Sequence, residues 1–189
     1  MEKLTGLKKI KTAVFISGTG SNLKNLIKFS KIKKSPISID LIISNTNKAK
    51  GLSFADQFKI KKKIFNSKNN EKDILLFLKN EKIKFICLAG FMKILSKDFI
   101  KKFDGKIINI HPSLLPKYKG LNTHFRAINN KEKFTGCTVH YVTVKLDSGK
   151  IILQKTVKIS TNDNQTSLAK KVLKQEHKLY PAAIMKIFN

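Results

Sequence analysis

Apolar residues in this chain come in two alternating rhythms. Short apolar runs at residues 12–17 and 85–89 are rich in β-branched and aromatic side chains, as strands buried on both faces are, and residues 37–43 read as a further strand. Between them Leu23, Leu26 and Ile27, and later Ile74, Leu75 and Leu78, recur every three or four positions, the spacing of a helix's inner stripe. The pattern predicts helices over residues 22–33 (with Ile32 also inward), 49–58 and 70–80, and a short strand near 63–65. Strand and helix in regular alternation imply a doubly wound, mostly parallel α/β sheet, whose ligands bind outside the C-terminal strand ends. Further on, residues 107–110 read as another buried strand, stopped by Pro112, and residues 123–130 as a short helix. Residues 136–144 and 151–159 alternate polar and apolar positions, as an antiparallel, half-exposed edge does. The last helix spans about 165–188, with Leu168, Val172, Leu173, Leu179 and Ile184 inward and a kink at Pro181.

The chain has 189 residues, which favours one domain, 1–189, able to bury about 70% of its unfolded surface. No apolar run approaches the roughly 20 residues that cross a bilayer, and the lysine-bearing N-terminus lacks a secretory apolar core. A soluble cytoplasmic protein is expected. Cys87 and Cys137 each lie in an apolar run with no Cys or His cluster nearby, so both read as reduced packing residues, and no metal is expected. The net charge of +27 would suit nucleic acid, but lysine is spread over nearly every predicted element and Arg126 is the one arginine. Nucleic-acid recognition favours arginine forks and interleaved aromatics. The charge therefore reads as compositional, with small anionic substrates as its beneficiaries and neither nucleic acid nor membrane as a partner. A monomer and a homodimer are both compatible with the sequence.

Two places carry candidate chemistry. Asn109 and His111 stand two apart at the end of the 107–110 run, so both side chains project from one sheet face, a hydrogen-bond donor beside a proton carrier. The Pro112–Pro116 segment that follows should form a stiff wall. At residues 18–22, Gly-Thr-Gly-Ser-Asn follows the first strand and opens the first helix, where free N–H groups and the helix dipole attract a phosphate. Leu23 occupies the place of the third glycine of a dinucleotide fingerprint, and no Lys-Ser/Thr follows, so a phosphate monoester fits better than NAD or ATP.

These motifs, with Leu88-Ala89-Gly90-Phe91-Met92-Lys93-Ile94-Leu95, Asn109-Ile110-His111-Pro112-Ser113-Leu114-Leu115-Pro116 and Leu146-Asp147-x-Gly149, occur in the order found in phosphoribosylglycinamide formyltransferases. The chain resembles that family over nearly its whole length. The resemblance implies formyl transfer from 10-formyltetrahydrofolate to the amine of glycinamide ribonucleotide in purine synthesis. It implies Asn109, His111 and Asp147 as catalytic residues, with Gly20, Ser21, Asn22 and Glu176 at the ribonucleotide. It also places the folate along Met92, Lys93, Ile94 and Leu95 and against Asn109, with Lys68 as a candidate for its tail. Lys93 stands where many relatives have Arg, and Lys150 where Pro is usual, which predicts a more mobile Asp147 loop. Of the remaining histidines, His140 and His177 read as structural or supporting residues, and His124 is open between structure and site.

Formyl transfer to an amine needs an oxyanion held and protons moved. Asn109 is suited to the first task, His111 to the second, and Asp147 to holding His111 charged and oriented. The alternatives are a related folate-dependent formyltransferase acting on methionyl-tRNA, or a formyltetrahydrofolate hydrolase. Each is expected to carry an additional domain, and the first to lack the glycine turn.

Overall fold

The computed structural model describes residues 8–65 and 71–188. The apolar runs form strands β1 (Ile10–Ile16), β2 (Ile37–Ser44), β3 (Lys61–Ile64), β4 (Phe85–Leu88), β5 (Lys106–His111), β6 (Phe134–Tyr141) and β7 (Ile151–Lys158). The helices are α1 (Ser21–Ser30), α2 (Ser53–Phe58) after a 3₁₀ turn at Lys50–Leu52, α3 (Glu71–Asn80), α4 (Lys97–Lys102), α5 (Thr123–Asn129) and α6 (Gln165–Phe188). Seven strands form one sheet in the order β3-β2-β1-β4-β5-β6-β7. Pairing is parallel from β3 to β5 and antiparallel at β5–β6 and β6–β7. The chain order reverses between β1 and β4, which makes the C-terminal ends of those neighbours the natural ligand crevice.

Alternation along the strands splits the core in two. Val14 and Ile16 pack with Ile108 and Ile110 beneath α1 and α6, while Ala13 and Phe15 pack with Ile107 beneath α3 and α4. Asn109 and His111 share the parity of Ile107, so they belong to the α3 and α4 side. Helix α6 is tied to the sheet by the buried Tyr180 hydroxyl, which donates to Leu88 O at 2.9 Å. Pro181 lies inside α6 and has no N–H for the carbonyl of His177; Asn25 Nδ2 of α1 donates to that oxygen at 2.7 Å. The strand β3, outermost among the described residues, presents Lys61, Lys62 and Lys63, all exposed.

Several boundaries differ from the sequence reading. Helix α1 stops at Ser30, so Ile32 falls in the following turn and is 55% exposed instead of facing the core. Ala49 is extended and Lys50–Leu52 form a 3₁₀ turn before α2, and β3 begins two residues before the predicted strand. Helix α4 has no counterpart in the prediction, since six residues are too few to show periodicity; Ser96 Oγ caps it by accepting from Phe99 N at 3.0 Å. Strand β6 starts at Phe134 and ends at Tyr141, because Gly149 closes onto it: a Cβ there would lie 1.8 Å from Tyr141 O. Val142 to Val144, predicted as strand, are therefore loop.

Candidate active site

Strand β5 delivers Asn109 and His111 to a cavity of about 600 Å³ on the α3 and α4 side of the sheet. The turn from Gly90 to Leu95 forms one wall, the segment from Gly120 to His124 a second, and the loop from Val142 to Asp147 a third. The turn after β4 is bound to the one after β1: Ser17 N donates to Gly90 O at 3.1 Å, and Met92 N donates to Ser17 Oγ at 2.8 Å.

His111 is buried and both ring nitrogens are engaged. Nε2 lies 2.9 Å from Tyr118 O, a group that only accepts, so Nε2 carries a hydrogen. Nδ1 lies 3.4 Å from Asp147 Oδ2. In the neutral ring these two atoms are both acceptors, and the space between them is an empty proton slot. Burial pushes the His111 pKa below its ordinary value, opposed by the Tyr118 carbonyl and the Asp147 carboxylate. Asp147 is itself held below the usual carboxylate range. Burial acts against its charge, but the His140 ring, the Gly120 N–H at 2.9 Å and the charge of His111 outweigh it.

Asn109 Nδ2 lies 3.3 Å from His140 Nε2, whose ring donates from Nδ1 to Tyr141 O at 2.9 Å. His140 therefore accepts one amide hydrogen from Asn109, and the other has no protein partner among the described residues. His140 Nε2 also comes within 3.6 Å of Asp147 Oδ1. Read from sequence as a structural or supporting residue, His140 lines the cavity and touches two of the three candidates. The β6–β7 pairing slips between Val139 and His140, where Ile152 is skipped, an irregularity of the kind that re-aims side chains next to sites. His124 also lines the cavity, and its buried Nδ1 has no partner. His177 lies on α6, half-buried and away from the cavity lining.

Met92, Lys93, Ile94 and Leu95 all line the cavity; Met92 and Ile94 are exposed, Leu95 is buried, and Lys93 Nζ sits 4.1 Å over the Phe65 ring. Lys68 lies outside the described residues. The loop bearing Asp147 is held beside Lys150, whose carbonyl accepts from Tyr141 N at 3.0 Å, a bond that a proline at this position would make as well.

The cavity holds the Met92–Leu95 turn and the Asn109/His111 pair, whereas Gly20, Ser21 and Asn22 open α1 outside its lining. Lys24 N is the first α1 amide to bond back, to Gly20 O at 2.9 Å, which leaves the N–H groups of Ser21, Asn22 and Leu23 without intrahelical partners. Gly20 has φ 75° and touches Gly51: a Cβ on Gly20 would lie 2.7 Å from Gly51 Cα. Gly51 escaped the sequence reading, which placed it inside the predicted helix over 49–58. Asn22 Nδ2 donates to Glu176 Oε2 at 2.6 Å, both residues being buried, and burial raises the Glu176 pKa against that bond.

Residues 10–184 match the family model described as formyl transferase. The chain belongs to the formyl transferase family. This formyl transferase is 41% identical over 180 residues to the phosphoribosylglycinamide formyltransferase of Haemophilus influenzae, covering 92% of this chain and 85% of that protein. It is 43% identical over 183 residues to the human trifunctional purine biosynthetic protein adenosine-3, of which it spans 18% while 94% of this chain is matched. The crystal structure of phosphoribosylglycinamide formyltransferase from Brucella melitensis superposes with a TM-score of 0.90 at 41% identity, over 95% of this chain and 96% of that one. Among the described residues no helix is long and apolar enough to cross a membrane, and no three His, Cys, Asp or Glu side chains are grouped to hold a metal.

Proposed function

We propose that this formyl transferase moves a formyl group from 10-formyltetrahydrofolate to the amine of glycinamide ribonucleotide, as one catalytic domain of the cytoplasm. The observation that carries the reading is the convergence of Asn109, His111 and Asp147 on one cavity, whose Gly90 wall is hydrogen-bonded to the turn that leads into the uncapped α1.

The cavity residues fit a folate. A volume of about 600 Å³ lies within the range of small-molecule sites, its walls include Met92, Ile94, Leu121, Val142 and Val144, and the unpartnered Nδ1 of His124 offers a polar contact. When bound, the folate supplies the formyl carbon that the amine attacks. The unspent N–H of Asn109 is the donor for the oxygen that gains charge during attack. The slot between His111 Nδ1 and Asp147 Oδ2 receives the proton that the amine must lose and is suited to return it to the folate nitrogen as that nitrogen's bond to the formyl carbon breaks; both groups stay unprotonated near neutrality because their pKa values are held low. His140 fixes the amide of Asn109 and flanks Asp147. The N–H groups at Ser21 and Asn22, with Gly20 allowing close backbone approach, are suited to the ribonucleotide phosphate, and Glu176 orients that turn through Asn22.

Purified protein given 10-formyltetrahydrofolate should release tetrahydrofolate only when glycinamide ribonucleotide is present. Release without the ribonucleotide would favour a hydrolase, and no release with it would refute the assignment.

A further inference from the structure

The composition of this chain has all but eliminated arginine, since Arg126 is the single one among 39 basic residues. Its surroundings give that retention a physical reason. Arg126 lies on α5, and its Nη1 donates to Lys119 O at 2.7 Å and approaches Leu121 O at 3.5 Å. The guanidinium plane also covers the Tyr118 ring, 5.0 Å from its centroid. The segment held in this way is conformationally costly: Tyr118, Gly120 and Asn122 have φ of 55°, 75° and 58°, and a tyrosine has no local hydrogen bond that favours this region. The phenol is anchored too, since Tyr118 OH donates to Glu132 Oε1 at 2.8 Å and accepts from Asn130 Nδ2 at 3.0 Å.

Two backbone groups of this same segment face the candidate catalytic pair. Tyr118 O takes the hydrogen of His111 Nε2, and Gly120 N–H donates to Asp147 Oδ2. The first decides which ring nitrogen of His111 is bare; the second aims the carboxylate at it. Lys119 and Leu121, whose carbonyls Arg126 holds, bracket Gly120, and the ring it covers belongs to Tyr118.

We propose that Arg126 is a positioning residue for formyl transfer, its guanidinium fixing the Tyr118 carbonyl and the Gly120 amide that set the tautomer of His111 and the aim of Asp147. The inference rests on the function proposed above. A lysine cannot replace it, because a single ammonium neither reaches two carbonyls in one plane nor stacks flat on a ring. The charged and titratable groups around His111 are Asp147 and His140 from the sheet side and Arg126 and His124 from α5. Arg126→Lys preserves the charge of all of them, so any change it causes in His111 reports geometry.

The test is Arg126→Lys in the full chain, read in two ways. Nitrogen NMR of His111 without substrates should show the wild type protonated on Nε2, and the variant with mixed tautomers and a lower titration midpoint, as the Tyr118 and Asp147 contacts that raise it loosen. Steady-state kinetics should show turnover down roughly tenfold with little change in either Michaelis constant, the signature of a misplaced catalytic group. If either the titration or the turnover matches the wild type, the proposal is overturned. Wild-type protein inactive toward glycinamide ribonucleotide would refute the function instead, while the substrate-free NMR comparison would still report on Arg126.

Discussion

His111 Nδ1 and Asp147 Oδ2 face each other at 3.4 Å with no hydrogen assigned to either once Nε2 has donated to Tyr118. A carboxylate placed against a bare ring nitrogen is a contact that a proton relieves, which makes the pair a sink of one proton instead of two separate acids. Replacing Asp147 by Asn fills the slot with an amide hydrogen and removes the charge that favours imidazolium. The His111 midpoint should fall, and turnover should drop by about 10²–10⁴, the span general acid–base groups supply. Asp147 sits at φ 44°, a region Asn tolerates as well as Asp, so the fold should survive. Histidine NMR with single-turnover rates decides the matter; an unmoved midpoint with normal rates would make Asp147 a turn residue.

The pH dependence has a sign set by the same pair. His111 is depressed below its ordinary 6.5, and Asp147 below its ordinary 3.8, so the slot is empty at neutrality and fills as the solution is acidified. The acid limb of kcat/KM should fall at a pH below 6.5. A limb above that value would contradict the low histidine pKa.

Asn109→Ala removes the donor aimed at the developing oxyanion and should lower turnover by about 10²–10³. It also strips His140 Nε2 of its amide hydrogen, so the effect should exceed that of His140→Gln, which leaves Asn109 in place. Comparable losses in the two variants would mean that the amide does not touch the formyl oxygen.

Glu176 is a buried carboxylate held by one amide. Its raised pKa means that the protonated form is favoured in the folded state. That stability is fully present below the ordinary 4.5 and is lost as pH rises through the raised value. Glu176→Gln keeps the contact with Asn22 and offers an N–H to its unsatisfied Oδ1, so it should raise the melting temperature at pH 7 and lose that advantage at pH 4. Thermal melts at the two pH values test this, and a lower melting point at pH 7 would contradict it.

Cys87 and Cys137 are fully buried and free, and burial pushes the Cys137 thiol up to about 12. Neither should react with a thiol reagent until the protein unfolds. Rapid labelling of the native protein would place one of them at the surface.

The doubly wound sheet was legible because apolar residues dominate its central strands β1, β2, β4 and β5 and each long helix has a stripe. Asn109 and His111 were legible because strand parity alone puts them on one face. What escaped has a common cause. The groups that decide the state of His111 and Asp147 are the Tyr118 carbonyl and the Gly120 N–H, and main-chain atoms leave no signature in a sequence. His140 was read as structural or supporting without its partners, because its approach to Asp147 follows a pairing slip that no local pattern announces. Helix α4 was missed for its brevity, and Ile32 was taken inward because its spacing continues a helix that in fact ends at Ser30.

The lysines of β3 give the charge of this chain a meaning apart from its substrates. An outer strand left bare is a template on which another copy could add a strand and begin a fibril. Here any incoming strand would meet Lys61, Lys62 and Lys63 in succession, each already engaged, with Glu81, with Asp56 and with the Phe77 ring. Seating a neighbour on that edge would bring two like-charged ribbons within a few ångströms, so the positive excess acts as a colloidal safeguard, one that should weaken as salt screens it.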